Sequence, residues 1–285
     1  MLLSHKYRFW AAGGIAAFLL LTAVPLLLGL LYALLYSLGL VGALASGFTL
    51  RFWAEGIQSR ALWHSLGYSL YITLASLLPA FVGGLVLATA LRAYLQKGPG
   101  AYLMYLPLVM PALVVALWSM QVLGQTGLVA RLGFQWGWFS DMRHFPGYIN
   151  DDWGLGILFA HWTMALPFFT LLFLGMQDNE RLDDLTQVAR SLGASPAQAY
   201  YRVVLPVLLQ KGRPSMLMYG IFLWGAYEIP LLLGQQSPQM ISVLITRKVG
   251  RYDLAEIPEG YFIAVLYSLL LLGVLFFTKN LSPSK

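Results

Sequence analysis

The feature that most constrains this chain is a series of long runs without a single acidic or basic residue. Forty-two consecutive residues between Arg8 and Arg51 contain no Asp, Glu, Lys or Arg. Runs of 31, 33, 25 and 19 residues occur further along, and one more run of 33 residues contains a single charge, Glu228. A helix needs about 20 mostly apolar residues to cross the hydrocarbon core of a bilayer. The runs therefore predict an all-α integral membrane protein.

The composition of the 285-residue chain agrees with this prediction. Hydrophobic residues make up 59% and charged residues 11%, whereas soluble proteins have about 45–50% apolar and about 25% charged residues. The chain has no cysteine, which excludes disulfides, thiolate metal sites and a cysteine nucleophile. Its net charge is +6, but the basic residues are scattered, so we expect a lipid bilayer and no nucleic acid as partner.

Removing polar and glycine-rich ends from the charge-poor runs gives six predicted transmembrane helices within one membrane domain, 1–285. Their predicted bounds are 11–39, 62–91, 102–123, 154–176, 214–233 and 260–278. If the N-terminus is cytoplasmic, the inner segments hold 11 Lys and Arg residues and the outer loops hold seven. The inner segments are then 1–8, 92–101, 177–213 and 279–285. This bias predicts that both termini are cytoplasmic.

Two residue patterns predict how these helices pack. Ala80, Gly84 and Ala88 recur at intervals of four residues, a spacing that allows helix backbones to approach closely in lipid. Membrane helices tolerate proline, because neighbouring groups can satisfy the carbonyls that it leaves free. Six prolines are therefore expected to kink their helices without breaking them: Pro25, Pro79, Pro107, Pro111, Pro167 and Pro230.

The longest inner loop, 177–213, contains signals for a short helix. Asp178 or Asn179 is suited to cap its first turn, where further acids would lie favourably in the field of the helix dipole. Gly193 is suited to the left-handed conformation at its end. We therefore predict that this first helix ends at a hinge at Gly193.

A second short helix is predicted directly after the hinge. Ser195 is a typical N-cap, Pro196 is favoured at the first helical position, and Gln198 completes a capping box. The helix is expected to end near Leu205 and Pro206. Two interpretations remain open: the loop is a hairpin that folds back on its own bundle, or a helix that docks in a groove of a cytoplasmic partner.

Residues 187–193 together with 203–206 resemble the EAA loop of permease subunits of ABC importers. The family pattern is Glu-Ala-Ala, three residues, Gly, nine residues, Ile, one residue, Leu-Pro, and the spacing here matches it throughout. Four positions match in identity: Ala189, Gly193, Leu205 and Pro206. Three positions depart from the pattern: Gln187 for Glu, Val188 for Ala, and Val203 for Ile. Gln187 removes a charge, so an ion pair of the family's Glu with the ATPase cannot be assumed.

The resemblance implies that this loop couples the membrane helices to an ATPase. The implied coupling residues are Gln187, Val188, Ala189, Gly193, Ala194, Ser195, Pro196, Leu205 and Pro206. The two short helices would be cytoplasmic coupling helices between transmembrane helices 4 and 5 of a six-helix bundle.

Glu228 is the only carboxylate within a predicted span, and a charge at membrane depth favours a functional role. The segment 228–234 resembles permeases that serve polyamines, thiamine, ferric iron and phosphonates. Glu228 is interpreted as part of an outer gate or a contact for a cationic solute. The alternative is a helix-end residue that reaches the interface or pairs with a partner. Tyr227, Trp162 and Thr163 are further candidates for a polar path.

The resemblance as a whole implies a permease subunit of a type I ABC importer, located in a bacterial-type inner membrane. It would form the path for a small hydrophilic, charged, polyamine-like solute. Its expected partners are a related second permease subunit, two cytoplasmic ATPases and an extracytoplasmic solute-binding protein. The sequence has no phosphate-binding Walker-A motif. ATP and magnesium are therefore expected on the ATPases, and no cofactor or metal on this chain.

Other classes of function fit the sequence less well. A secondary transporter or channel that works without an ATPase would be expected to pair charged residues in several spans. A membrane scaffold subunit would not need the loop motif, and an intramembrane enzyme would need catalytic groups that are absent here. His64 and His161, the histidines of the predicted spans, are interpreted as packing or hydrogen-bonding residues and not as ligands.

Overall fold

The computed structural model describes residues 2–43, 45, 47–97, 100–139, 141, 145–251 and 253–281. The regular structure of these residues is helical, and they form no strand. The last four residues of the predicted inner segment 279–285 lie outside them. Contacts between residues divide the chain into two compact units. The central unit is His64–Val243, and the terminal unit combines Met1–Trp63 with Leu244–Lys285.

The helices are labelled α1 to α14 in chain order. Their bounds are α1 Leu2–Ser37, α2 Arg51–Gln58, α3 Arg60–Ala90, α4 Arg92–Lys97, α5 Gly100–Val109, α6 Ala112–Leu123, α7 Leu128–Gln135, α8 Leu155–Asn179, α9 Leu182–Ser191, α10 Pro196–Ala199, α11 Leu205–Trp224, α12 Glu228–Leu233, α13 Ile241–Val249 and α14 Ile257–Leu281. A π-helical turn, Tyr200–Val204, joins α10 to α11.

Five helical stretches of the described residues are long and apolar enough to cross a membrane. They are Gly13–Ser37, Arg60–Ala90, Ala112–Gln135, Leu155–Asn179 and Ile257–Phe276. Together with the helical content, they confirm the predicted all-α membrane class.

The third stretch begins later than predicted because the chain breaks at Pro111. Pro25, Pro79, Pro107 and Pro167 lie inside continuous helices. At Pro111 the prediction of a kink without a break is wrong, because α5 ends at Val109 and α6 begins at Ala112. A proline disfavours helical backbone at the residue before it. The two helices are therefore separate elements.

The predicted span 214–233 is divided between α11 and α12. Helix α11 ends at Trp224, and residues 225–227 are not helical. Pro230 has no N–H group to donate to the carbonyl of Ala226, four residues earlier. That carbonyl oxygen instead accepts a hydrogen bond from the Ser242 hydroxyl. The proline and this alternative donor together account for the break.

In the central unit, α8 contacts α5, α6, α11 and α12 and carries much of the buried surface. Phe169 and Phe173 of α8 are fully buried, and Phe81 of α3 lies edge-on against both rings. Opposite them, a Cβ added to Gly84 would lie 2.6 Å from the Phe169 Cβ and 2.9 Å from the Thr170 amide nitrogen. The prediction of close packing at the small residues is therefore confirmed for Gly84.

In the terminal unit, α14 packs on α1 and α2. The Tyr261 ring of α14 lies 4.6 Å from the ring of Tyr36 on α1, measured between centroids. Near the start of α14, Glu259 accepts a hydrogen bond from Lys248 at 2.7 Å. Aromatic contacts and one charged contact thus hold α14 to its neighbours within this unit.

Candidate functional site

The first candidate site is the loop between α8 and α11, which starts later than the sequence suggests. Helix α8 continues through Asn179, and Arg181 then adopts left-handed backbone, with φ of 48°, before α9 begins at Leu182. The prediction that Asp178 or Asn179 caps the first loop helix is wrong. Both residues lie in the last turn of α8, which leaves the Asp178 carboxylate available for an ion pair.

Arg92 of α4 binds that carboxylate and ties the loop to the membrane helices. Its guanidinium group donates to Asp178 at 2.8 Å and to Asp183 in the first turn of α9. These contacts raise the pKa of Arg92 above its ordinary value, chiefly through the hydrogen bond to Asp183. Nearby, the buried Gln177 amide donates to the carbonyl of Ala88 at 3.1 Å. The end of α3 with the start of α4, the end of α8 and the start of α9 are therefore in contact here.

The end of α9 confirms the prediction for Gly193. This residue has φ of +90°, a conformation that side-chain-bearing residues rarely adopt. Its N–H donates to the carbonyl of Arg190 at 3.0 Å, and the N–H of Ala194 donates to the carbonyl of Ala189 at 3.1 Å. This pair of bonds is the Schellman motif, in which a left-handed residue satisfies the last carbonyls of a helix.

The start of α10 confirms the predicted capping box. The Ser195 hydroxyl accepts from the Gln198 N–H at 3.2 Å, and the Gln198 side-chain oxygen accepts from the Ser195 N–H at 2.9 Å. Pro196 occupies the first helical position. The turn between the two helices is thus specified on both sides by local interactions.

The second loop helix does not end at Leu205 and Pro206, and that prediction is wrong. After α10, the π-helical turn continues directly into α11, which begins at Leu205. The Leu205 N–H donates to the carbonyl of Tyr200, five residues earlier. Pro206 lies at the start of α11, directly after the π-helical turn, and has no N–H to donate to a carbonyl of that turn.

The loop leaves a large apolar surface exposed. Leu192 has 83% of its surface exposed and Val188 57%, and Gln187, Ser195 and Pro196 are exposed as well. Beside this surface lies a cavity of about 360 Å³, whose lining includes Ala189, Gly193 and Ala194. Three of the predicted coupling residues therefore share one concave face.

The second candidate site is the break between α11 and α12. Glu228 is exposed at the start of α12, while Ile229 and Pro230 behind it are buried. Tyr227 is half-buried and has irregular backbone angles. The buried side of α12 packs against α6 and α8. The fold therefore presents Glu228 outward from a well-packed short helix.

Trp162 and Thr163 lie on α8, but the structure does not bring them to Glu228. The Trp162 indole donates to the carbonyl of Ala75 on α3 at 3.1 Å. The Thr163 hydroxyl donates within its own helix to Phe159 at 2.9 Å. Within the described residues, no hydrogen bond or ring contact links either side chain to Tyr227 or Glu228.

His161 is buried and lies 3.0 Å from the Ser76 hydroxyl, measured from its Nδ1 atom. This contact between α8 and α3 confirms the interpretation of His161 as a hydrogen-bonding residue. His64 is exposed on α3.

Sequence reasoning missed two residues that shape this site, Arg92 of α4 and Arg202 of the loop. Arg92 lies 86 residues before Asp178, a long-range ion pair without a local signal. Arg202 lines the cavity beside Gly193. Its position nine residues after Gly193 places it inside the matched pattern, but the pattern leaves that position unspecified.

Multiple apolar helices and an exposed helical hairpin between two of them define a multi-pass membrane protein. Two solved structures of bacterial alginate ABC transporters share this fold. The chain superimposes on them with TM-scores of 0.73 and 0.72 at 18% and 17% identity. In each case the match covers at least 98% of this chain and 96% of the other.

Residues 63–284 match the family described as binding-protein-dependent transport system inner membrane component, and the chain belongs to this family. It is therefore an inner-membrane permease component and not an enzyme. This confirms the predicted class, a permease of a type I ABC importer.

Two individual relatives illustrate the similarity within this family. The chain is 28% identical over 234 residues to a probable ABC transporter permease, y4fN, of Sinorhizobium fredii. It is 25% identical over 218 residues to the maltose/maltodextrin permease MalF of Salmonella typhimurium. These matches cover 79% and 74% of this chain but only 38% and 40% of the relatives. The chain thus spans about two fifths of the length of these curated relatives.

Proposed function

We propose that this chain couples ATP hydrolysis by partner subunits to solute import, with the loop between α8 and α11 as the docking element. The observation that carries the proposal is the exposed apolar surface around Leu192 and Val188, held in place by a Schellman motif and a capping box. A loop that only connected two helices would gain nothing from such fixed geometry. An exposed apolar patch of this kind is typical of an interaction site.

The proposed assembly contains a second, related permease subunit, two cytoplasmic ATPases that bind ATP and magnesium, and an extracytoplasmic solute-binding protein. Both termini and the loop lie in the cytoplasm. The fifth of the six spans is the composite 214–233, which includes the break at 225–227. Irregular backbone at membrane depth is tolerated where it lines a cavity or is covered by protein, and this supports a place for the break beside the path.

The proposed solute is small, hydrophilic and cationic, as a polyamine is. Glu228 supports this, because it is exposed at the break and forms no ion pair within the described part of the chain. A broken membrane helix commonly marks a binding site in transporters. Tyr227 is adjacent to Glu228. Trp162 and Thr163 lie on α8 and would line the path only on a side of it away from Glu228.

The docking proposal is tested by purifying tagged permease in mild detergent and measuring how much Walker-A ATPase is retained. Leu192→Asp places a charge in the exposed apolar patch, and we expect at least about tenfold lower retention. Leu254→Asp is the matched control, because Leu254 is an exposed leucine outside the membrane-capable helices and at a distance in sequence from the loop. A wild-type chain that retains no ATPase, or equal retention in both variants, contradicts the proposal.

The solute proposal is tested with the complete transporter and its binding protein in proteoliposomes. Labelled putrescine, thiamine and maltotriose serve as probes. We expect uptake of a cationic probe, and a loss of at least about tenfold in Glu228→Gln, because this change removes the negative charge that would attract the cation. Retention of the ATPase should be unchanged. Uptake of maltotriose alone, or equal uptake by the variant, would show that Glu228 does not select a cation.

A further inference from the structure

The cavity beside Gly193 has a distinct chemical character. It measures about 360 Å³ and lies between the end of α9 and the turn that joins α10 to α11. Most of its lining side chains are apolar, including those of Ala189, Leu192 and Ala194. The polar side chains in the lining are those of Gln198 and Arg202. The chemistry of an occupant therefore depends on what these two groups offer.

Both groups offer hydrogen-bond donors. The Gln198 side-chain oxygen already accepts from the Ser195 N–H, so its amide nitrogen remains as the available group. Arg202 has donors only. The Arg202 guanidinium makes no ion pair within the described residues, and its side chain is exposed. An occupant that suits this cavity has an acceptor, and preferably a negative charge, on an apolar stem.

The acids of the loop do not satisfy this cavity. Asp178 and Asp183 are bound by Arg92, and Glu180 is 2.9 Å from Lys211. Asp184 stands in the first turn of α9, about 13 Å along the helix axis from Gly193. The positive charge at the cavity is therefore available to bind an acid of another molecule.

We infer that the cavity receives an Asp or Glu side chain of the ATPase subunit, held by Arg202 and Gln198. This inference rests on the proposed function and specifies the chemistry of the docking contact. The family pattern has an acid at position 187, but this chain has an exposed Gln there. The permease then contributes a cation and the ATPase contributes the acid. An arginine suits this role because its planar donors match a carboxylate.

The test uses the purified complex of permease and ATPase at physiological salt. Arg202→Gln should lower retention of the ATPase by at least about tenfold, because hydrogen bonds to charged groups are among the stronger ones. Arg202→Lys keeps the charge but not the planar set of donors, so it should lower retention of the ATPase less than Arg202→Gln does. Gln198→Glu keeps an oxygen that accepts from the Ser195 N–H, but it replaces the free donor by a negative charge. It should lower retention without disturbing the capping box.

Arg190→Gln is the matched control, since Arg190 is an exposed arginine of the same loop that does not line the cavity. It should retain the ATPase within about twofold of wild type. A charge reversal, Arg202→Glu, should also lower retention of the ATPase. An Asp→Arg or Glu→Arg change at the contacting acid of the ATPase should restore it. Equal losses at Arg190 and Arg202 would indicate general charge attraction and overturn the inference, as would full retention by Arg202→Gln. Failure of the wild type to retain ATPase would instead contradict the proposed function.

Discussion

The α3–α8 contact and the turn between α9 and α10 both depend on a glycine, but for opposite reasons. At Gly84 the backbone is helical, and the facing helix lies so close that a Cβ would come within 2.9 Å of backbone atoms. At Gly193 a Cβ would meet nothing within 4 Å, but the backbone has φ of +90°. The first glycine is required for space and the second for conformation.

This difference separates a membrane-embedded contact from an exposed turn. In lipid, helices associate through close packing of small residues, since apolar burial gives little net gain there. In the exposed turn, local hydrogen bonds determine the geometry, and side chains can point outward freely. Glycine is thus required by a close neighbour in one region and by a backbone dihedral angle in the other.

The largest effect is expected for Gly84→Ala. The added methyl group would force backbone atoms of α8 to move, and overpacking of this kind costs about 1–3 kcal/mol. Thermal unfolding of the detergent-solubilised protein should shift to lower temperature. Gly67→Ala is the matched control in the same helix, because a Cβ there meets nothing within 4 Å. It should leave stability unchanged or raise it, and a similar loss in both variants would contradict the space argument.

A smaller effect on stability is expected for Gly193→Ala. Alanine in left-handed backbone should cost about 1–2 kcal/mol. Gly193→Asn has a larger side chain but tolerates this conformation better, so it should cost less. The order Gly, Asn, Ala in retention of the ATPase would support the conformational explanation. Lower retention of the ATPase by Gly193→Asn than by Gly193→Ala would contradict this explanation. It would indicate that side-chain size limits docking at the turn.

The smallest effect is expected for Arg92→Gln, which removes the ion pairs to Asp178 and Asp183. Because both acids are largely exposed, we expect a cost of about 1 kcal/mol, and about fivefold faster amide exchange in α9. Lys211→Gln, which breaks the exposed pair with Glu180, should change exchange by less than about twofold. Equal protection in the two variants would show that Arg92 does not hold α9 to the membrane helices.

Local signals were predicted well from the sequence. Ser195, Pro196 and Gln198 form the expected capping box, and Gly193 has the expected left-handed backbone. These features depend on residues within a few positions of each other, so one sequence contains all the information. The charge-free runs likewise predict membrane helices, because bilayer thickness sets their length.

Features that depend on distant partners were not predictable. Asp178 was expected to cap a helix, but Arg92 engages it from a different segment. The break before Glu228 depends on Ser242 as a substitute donor for the Ala226 carbonyl. The indole of Trp162 donates to a carbonyl of α3, a contact that no local pattern indicates. Each of these outcomes needed knowledge of which helices lie side by side.

The uninterrupted helical path from Pro196 through the π-helical turn to Trp224 has a mechanical consequence. Twenty-nine residues without a loop span about 43 Å. Because no loop interrupts this path, we expect a rotation of the turn at Gly193 to be transmitted toward the far end of α11. A tilt of about 5° at one end displaces the other by about 4 Å over that length. We therefore expect a movement of the docked loop to be transmitted through this continuous helix to the break that carries Glu228.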